Sequence, residues 1–458
     1  MNQYLSVSSD AYLHGLQLAN AYNTIYMRAF KNAFDQEREV VIDATMGGGG
    51  KGTTSYNTME RMYDRWLKNV DEQLEIELKS ERFTLLLSRY TQSLLELRTI
   101  FRNAGYPIDY LDRLFDWYVR SHLVFSLIPK ESHLAPYDVV YRKGKTRLLH
   151  YRGFGSQTSV TKKQPLLIVY APINTFHILD LNPKRSVVRN LLASDGLDIY
   201  VLDWGYPDWS DNQLSMNDYI DYVDEAVKVL KDLTKENKIS ILGYCWGGLF
   251  SLIHTSLHPE DVRNLVLMAV PVDFSKDDTI LGKWSKAIDV DAMMDELGHM
   301  DGQVLNIGFL MRNPPRYTFD KYLKFFQRSF DREFVDTFID VERWLYDTPI
   351  IPGVLHRQII TDCYRNNLLI SSGMQVTAGT AGAKKQKVDL KNISAPVLSI
   401  IAEKDDLVSP ASSIAINDYI SSKDKSVLKN PGGHVALCIS SNAHRKLWPE
   451  VAKWLLSH

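Results

Sequence analysis

The chain contains few cysteines, and their spacing limits the sites that it can build. Only three of its 458 residues are cysteine, at positions 245, 363 and 438. Three thiols so far apart exclude a disulfide framework and argue against a cysteine-based zinc site. We therefore expect the protein to work in a reducing cytoplasm.

An excess of charge and a long apolar run are also lacking. The 53 basic and 55 acidic residues leave a formal net charge of -2, so there is no overall basic field to attract nucleic acid. No stretch approaches the ~20 apolar residues that a membrane-spanning helix requires, and the N-terminus does not resemble a signal peptide. We expect a soluble protein with no nucleic-acid partner and no transmembrane segment.

The first 130 residues predict a helical region. Apolar side chains recur at three- and four-residue steps over residues 57–103, as one long helix or two joined ones, and a second helix is expected over 108–125. Residues 45–55, TMGGGGKGTTS, lack both ends of a phosphate-binding loop and are interpreted as a flexible linker. The helices form either a self-packed subdomain or an arm that binds a partner.

From about residue 137 onward, short β-rich runs alternate with helical segments. The apolar runs LLIVYA, DIYVLDW, KISILG and NLVLMAV lie at 166–171, 198–204, 238–243 and 264–270. This alternation predicts a mostly parallel sheet with helices on both faces. Residues 131–274 and 391–458 form the predicted core. The mainly helical residues 275–390, inserted after the sixth strand, form a predicted cap.

The run ILGYCWGGLF at residues 241–250 is unusual because its glycines surround a thiol. The spacing G-x-C-x-G copies the nucleophile elbow of the α/β-hydrolases, with sulfur in place of the usual serine oxygen. A sharp strand-to-helix turn needs small residues beside the nucleophile, and Gly243, Gly247 and Gly248 supply them. The motif thus predicts an α/β-hydrolase fold with Cys245 as the nucleophile.

Two later loops supply the partners that such a nucleophile needs. Asp405 and Asp406 follow the predicted seventh strand and His434 follows the eighth, which is the chain order of this fold. A free thiol with a pKa near ~8.5 is only a few per cent ionised at neutral pH, so we expect His434 to accept its proton or to stabilise the thiolate as an ion pair. Asp405 is preferred as the residue that orients the imidazole, although spacing alone leaves Asp406 open.

Backbone N–H groups near the nucleophile complete the predicted site. The N–H of Trp246 and that of Ile173, in the loop after the third strand, are expected to stabilise the oxyanion, with Asn174 fixing the loop. His177 and Asp180 in the same loop are expected to be structural. His434 and Cys438 have metal-ligand spacing, but no other ligands lie near them in the chain, so we expect neither a metal nor a cofactor.

Six stretches of the chain resemble one known family. They are APINTFHILDLNP, VLDWGYPD, GYCWGG, RWLYDTPIIPG, DDLVSP and GGHVAL. Over roughly residues 130–458 the chain resembles the catalytic subunit of polyhydroxyalkanoate synthases. The resemblance implies Cys245 as the acyl-carrying nucleophile, His434 as general base and Asp405 as its partner, with Trp246 and Ile173 at the oxyanion positions.

The chain departs from the family pattern near the predicted acid. Asp406 stands where many members have histidine, and Ser409 separates Val408 from Pro410. These differences keep the three predicted catalytic residues but add to the uncertainty over which aspartate is the acid.

The resemblance also implies substrates and partners. It implies polymerisation of (R)-3-hydroxyacyl-coenzyme A, with short acyl groups such as 3-hydroxybutyryl, into polyester with release of coenzyme A. Coenzyme A is then part of the substrate rather than a cofactor. The family further implies a homodimer, attachment to polymer granules in the cytoplasm and, in two-component members, a helical helper subunit.

Two other functions fit the same residues. One is a cysteine hydrolase of this fold, a thioesterase or a dienelactone-hydrolase-like enzyme, which would pass the acyl group to water. The other is a non-catalytic scaffold protein that coats polymer granules.

Overall fold

The computed structural model describes residues 134–153, 163–313, 315–328, 330–377 and 385–458, and scattered positions between 17 and 99. The predicted linker at 45–55 and the predicted helix at 108–125 lie outside the described residues.

One eight-stranded sheet organises the described chain. Its strands are β1 (Tyr137–Lys143), β2 (Thr146–Tyr151), β3 (Gln164–Val169), β4 (Leu197–Asp203), β5 (Ile239–Tyr244), β6 (Val262–Met268), β7 (Val397–Ala402) and β8 (Lys425–Asn430). Their spatial order is β1-β2-β4-β3-β5-β6-β7-β8. The pairs β1–β2 and β2–β4 are antiparallel, and the other neighbours are parallel. The predicted mostly parallel sheet is confirmed.

Helices connect and cover the strands. They are α1 (Val187–Leu192), α2 (Met216–Thr234), α3 (Trp246–Leu257), α4 (Ile280–Ala287), α5 (Val290–Leu297), α6 (Gly302–Met311), α7 (Lys321–Gln327), α8 (Arg332–Tyr346), α9 (Gly353–Gln358), α10 (Pro410–Ile414), α11 (Ile416–Tyr419), α12 (Ala436–Ile439) and α13 (Trp448–Ser457).

Shorter elements complete the list. Tight helical turns cover Phe176–Leu179, Trp209–Asp211, Pro259–Asp261 and Leu390–Asn392, and wide turns cover Pro315–Asp320, Ile359–Arg365 and Ala443–Leu447. Three small antiparallel pairs join Asp180–Asn182 to Arg185–Ser186, His299–Met300 to Ile351–Pro352, and Gln375–Val376 to Gln386–Lys387. Among the described helices, none is both long and apolar enough to cross a membrane.

Strand β5 and helix α3 form the centre of the core. Every residue of β5 is buried, as expected for a parallel strand covered on both faces. Helix α3 is apolar around most of its circumference and is buried along almost its whole length. Helix α2 packs against it and begins with a capping box, in which the Ser215 N–H and hydroxyl both donate to Asp218.

Contacts divide the described chain into two compact units. One comprises residues 1–116, 283–296 and 307–330, and the other comprises 117–282, 297–306 and 331–458. The sheet and all the predicted site residues belong to the second unit. The predicted cap contributes residues to both units, and its boundaries stay a prediction.

Within the first unit, part of the N-terminal region contacts part of the insertion. Described positions of 57–103 are helical on both sides of a turn at residues 79–80, which matches two joined helices. The Trp284 indole donates to the Leu78 carbonyl at 3.3 Å, and the Thr99 hydroxyl donates to Glu296 at 2.9 Å. Leu78 is fully buried, so this segment packs within its own unit.

A buried hydrogen bond joins α3 to α2. Asp224 on α2 hydrogen-bonds to Nδ1 of His254 on α3, and both side chains are almost fully buried. Burial raises the pKa of Asp224, but hydrogen bonds from His254 and His258 outweigh burial and lower this pKa to about 2. The pair therefore fixes α3, whose first turn carries the predicted nucleophile.

We expect Asp224→Asn to lower the free energy of unfolding by about 2 kcal/mol at neutral pH. A lowered carboxyl pKa stabilises the fold fully above the ordinary value of 3.8, and this stability is lost as pH falls through about 2. Urea denaturation at pH 7 and at pH 3 measures the effect. Asp232→Asn, at an exposed position on the same helix, is the control, and an equal loss in both variants would contradict the prediction.

Candidate active site

Cys245 lies in the sharp turn between β5 and α3. Its φ of 53° is in the left-handed region, and its N–H donates to the Met268 carbonyl at 2.9 Å. A Cβ on Gly247 would lie 2.3 Å from the carbonyl oxygens of both Val169 and Tyr170. The start of α3 is therefore pressed against the end of β3, which only glycine permits. This geometry is that of the predicted elbow.

His434 and Asp405 meet where the loops after β7 and β8 come together. Nδ1 of His434 lies 2.7 Å from Oδ2 of Asp405, and the other Asp405 oxygen accepts from the N–H groups of Leu407 and Val408 at 2.9 and 3.0 Å. Asp405 is therefore held in one orientation. Its neighbour Asp406 is exposed. The structure thus places Asp405, not Asp406, on the imidazole.

His434 also interacts with Cys245. Burial by itself lowers the pKa of His434, but the charges of Asp405 and the Cys245 thiolate, with hydrogen bonds to both, outweigh it and raise this pKa to about 10. All three side chains are buried, with 8%, 7% and 8% of Cys245, His434 and Asp405 exposed. This arrangement favours a protonated imidazole beside the Asp405 carboxylate.

The other two thiols lie in environments that keep them protonated. Burial is the main cause that raises the pKa of Cys438 to about 12, and it raises that of Cys363 further. Since a thiolate is the reactive form, neither is suited to be a nucleophile at neutral pH.

The two predicted oxyanion donors lie on different segments, Ile173 in the loop after β3 and Trp246 at the start of α3. As the first residue of α3, Trp246 has no intrahelical acceptor for its N–H, and β3 leads directly into the loop that contains Ile173. Asn174 has φ of 60° and is buried. Its amide donates to Thr348 Oγ1 at 2.6 Å and to the Leu345 carbonyl at 3.0 Å.

Helix α8 and its C-terminal turn hold this loop. The Trp344 indole donates to the Thr175 carbonyl at 2.8 Å, so bonds run in both directions between the two segments. Further along, Asn182 donates to Asp340 at 3.0 Å, and Lys184 contacts Glu333 at 2.7 Å. The last pair is largely exposed and adds little stability. The bonds at Asn174 and Trp344, which are less exposed, therefore determine the position of the loop.

His177 and Asp180 make local contacts. Nδ1 of His177 lies 2.8 Å from Thr175 Oγ1. Asp180 is fully buried, accepts from the Ala135 N–H at 2.5 Å and pairs with Arg189 at 3.3 Å. Both residues thus connect the loop to neighbouring segments, as expected for structural residues.

One group of described side chains is close enough together to hold a metal ion. It lies beyond the end of α3 that is opposite to Cys245. Ligand atoms of His258, Glu260 and Asp261 lie within 4.8 Å of one another, just after the C-terminal end of that helix. Lys231 already forms an ion pair with Asp261. The site around Cys245 therefore makes no use of these residues.

Three tyrosines near the site escaped the sequence analysis. Tyr170, Tyr244 and Tyr364 all lie within electrostatic reach of Cys245, and burial raises the pKa of each well above its usual value. The Tyr364 ring lies 4.9 Å from Phe274 and 6.0 Å from Trp246. Tyr244 directly precedes Cys245 in the motif, so its position in the sequence could have indicated that it lies near the site. Tyr364 comes from the insertion, and no spacing rule indicates it.

Family models match this chain over its core. A model of the alpha/beta hydrolase fold matches residues 176–438, more than half of the chain. A second model, described as the N-terminus of poly-beta-hydroxybutyrate polymerase (PhaC), matches residues 127–191.

Curated relatives match over most of their own length. The poly(3-hydroxyalkanoate) polymerase subunit PhaC of Allochromatium vinosum is 39% identical over 327 residues, which cover 71% of this chain and 89% of that one. The protein of the same name from Synechocystis sp. is 38% identical, and the match covers 70% of this chain and 84% of that protein. The protein of the same name from Thiocystis violacea is 37% identical, and the match covers 71% of this chain and 89% of that protein.

We expect Asp405→Asn to slow the alkylation of Cys245 by iodoacetamide about tenfold at pH 7, because the imidazolium that stabilises the thiolate loses its carboxylate. Asp406→Asn, one residue away and exposed, should leave the rate unchanged. Mass spectrometry of the Cys245 peptide measures both rates. Equal rates in the two variants would show that Asp405 does not support the ion pair.

Substitutions of Asn174 separate backbone strain from hydrogen bonding. Asn174→Ala should lower the free energy of unfolding by about 3 kcal/mol, and Asn174→Gly by about 1 kcal/mol less, because glycine adopts positive φ without strain but lacks the amide. Thermal and urea denaturation measure the two losses. A Gly variant as stable as the parent would mean that the bonds to α8 contribute nothing.

Proposed function

The chain belongs to the family of poly(3-hydroxyalkanoate) polymerase PhaC subunits, which have the α/β-hydrolase fold, and from that premise we propose how its residues act. The enzyme is an acyltransferase that polymerises (R)-3-hydroxyacyl groups from coenzyme A thioesters. Family membership, which the sequence motifs predicted, supports this activity. The buried hydrogen bond between His434 and Asp405, with the electrostatic interaction of His434 and Cys245, is the single structural observation that supports the mechanism.

In the first step the Cys245 thiolate attacks the thioester carbonyl of the substrate. The carbon–sulfur bond to coenzyme A breaks, and the His434 imidazolium gives its proton to the leaving thiolate. The product is an acyl group on Cys245. One thioester replaces another, so the step is nearly isoenergetic and the intermediate is not a deep trap.

In the second step the now neutral His434 removes the proton from the 3-hydroxyl of an acceptor. The resulting oxygen attacks the acyl–Cys245 carbonyl, an ester forms, and the thiolate and imidazolium are restored. Asp405 keeps the imidazole in one tautomer and stabilises its charge in both steps. The N–H groups of Trp246 and Ile173 stabilise the negative oxygen of each tetrahedral intermediate.

Excluding water from the site favours polymerisation over hydrolysis. The three reacting side chains are almost fully buried, and the aromatic rings of Trp246, Phe274 and Tyr364 pack together close to the thiol. A buried thioester meets the acceptor hydroxyl with little competing water. A thioesterase, a dienelactone-hydrolase-like enzyme and a non-catalytic scaffold are not favoured.

The proposed substrate and partners are those that the family resemblance implies. The acyl group is short, such as 3-hydroxybutyryl, and coenzyme A leaves as product, so no separate cofactor takes part. Because the growing polyester is joined to Cys245 and is insoluble, the enzyme stays on the surface of cytoplasmic polymer granules. A homodimer, with or without a helical helper subunit, is the proposed assembly.

Purified protein given (R)-3-hydroxybutyryl-coenzyme A should release free thiol and turn turbid with polyester. Cys245→Ala should lower thiol release at least about 10³-fold, whereas Cys363→Ala, which removes a buried thiol elsewhere, should keep the parental rate. Thiol release that yields only soluble 3-hydroxybutyrate would make the protein a hydrolase. Polymer formation by the Cys245 variant would refute the covalent mechanism.

A further inference from the structure

Tyr244, the last residue of β5, contacts His434 with both its ring and its hydroxyl. The two rings are stacked, with centroids 5.0 Å apart and planes 22° from parallel. The hydroxyl donates to the His434 carbonyl at 3.3 Å. Only 2% of Tyr244 is exposed. Because Cys245 is the next residue, the same stretch of backbone positions the sulfur and this ring.

These contacts restrain a movement that Asp405 leaves free. The bond at Nδ1 fixes one point of the imidazole, about which the ring can still tilt. A flat surface against the ring face opposes that tilt, and the hydroxyl bond holds the backbone from which the ring extends. Together the two contacts determine where Nε2 points.

We propose that Tyr244 is a positioning residue for the acyl transfer, which holds the His434 imidazole in line between Asp405 and Cys245. This inference rests on the proposed function of Cys245 and His434. The ring also acts electrostatically, because the face of an aromatic ring attracts a cation that lies against it, and more strongly in a buried site. Tyr244 thereby favours the imidazolium form.

The groups that face the imidazole come from three segments. Asp405 approaches from the loop after β7, and Cys245 and Tyr244 from the elbow. Cys438, four residues after His434, hydrogen-bonds to Tyr244 and is a protonated thiol. Burial raises the pKa of Tyr244 well above its usual range, so its hydroxyl remains a donor. Asp405 and the Cys245 thiolate thus supply the negative charge, and Tyr244 supplies the ring face.

The test compares two rings of nearly equal size. Phenylalanine at position 244 keeps the aromatic face, whereas pentafluorophenylalanine keeps the volume but reverses the sign of the ring's electrostatic face. We expect the pKa of His434, measured by NMR titration of labelled histidine rings, to be about one unit lower in the fluorinated variant than in Tyr244→Phe. The shift is downward because the charged imidazole loses a favourable contact.

The same pair of substitutions at Tyr219 is the control. Tyr219 is equally buried, on α2, and packs on Trp204 and Phe250 instead of on His434. There the His434 pKa should not move. Tyr244→Met, which removes the ring face, should lower kcat about tenfold with KM unchanged, and Tyr244→Phe should restore most of kcat.

Equal His434 pKa values in the two position-244 variants, or an equal shift in the Tyr219 pair, would overturn the inference. The inference would also be overturned if Tyr244→Phe lost as much kcat as Tyr244→Met. The NMR titration needs no acyl substrate, so its outcome is independent of whether the polymerase assay succeeds. A protein without polymerase activity but with the expected pKa difference would refute the proposed function and keep the role of Tyr244.

Discussion

The turn at Cys245 is the constraint on which the rest of the site depends. A non-glycine residue with φ of 53° is strained, and the turn persists because its neighbours leave no room for another path. A Cβ on Gly248 would lie 2.1 Å from Val270, and one on Gly243 would lie 2.3 Å from the Gly248 Cα. Close backbone packing on both sides therefore fixes the sulfur at the C-terminal end of the sheet.

Burial and charge act in opposite directions on His434, and charge prevails. In an apolar interior an isolated imidazole would be neutral, but Asp405 on one side and the thiolate on the other reverse this preference. In the proposed mechanism this protonated imidazole stabilises the sulfur as the nucleophile. The same imidazolium then supplies the proton that the leaving thiolate needs, so one charge distribution serves both halves of the reaction.

The sequence predicted the fold and the candidate catalytic residues because both depend on local patterns. Apolar runs of strand length predicted the parallel strands, and the spacing of the glycines predicted the elbow. Asp405 and Asp406 could not be separated in this way, since both follow β7 and only the path of the loop determines which one faces His434. Tyr364 and the partners of Asn174 were not predicted, because they come from an insertion that carries no periodic signal linking it to the sheet.

One part of the insertion holds the loop that contains the proposed oxyanion donor. Residues 344–348 exchange hydrogen bonds with Asn174 and Thr175, immediately after the proposed donor Ile173. A displacement of α8 would remove the acceptors of the Asn174 amide and leave a buried polar group without its partners, which is costly. Since a backbone N–H stabilises an oxyanion only when it is correctly placed, the contacts that hold α8 in the second unit also maintain the geometry that acyl transfer requires. The packing of residues 344–348 against this loop is thus a requirement of the proposed oxyanion pocket.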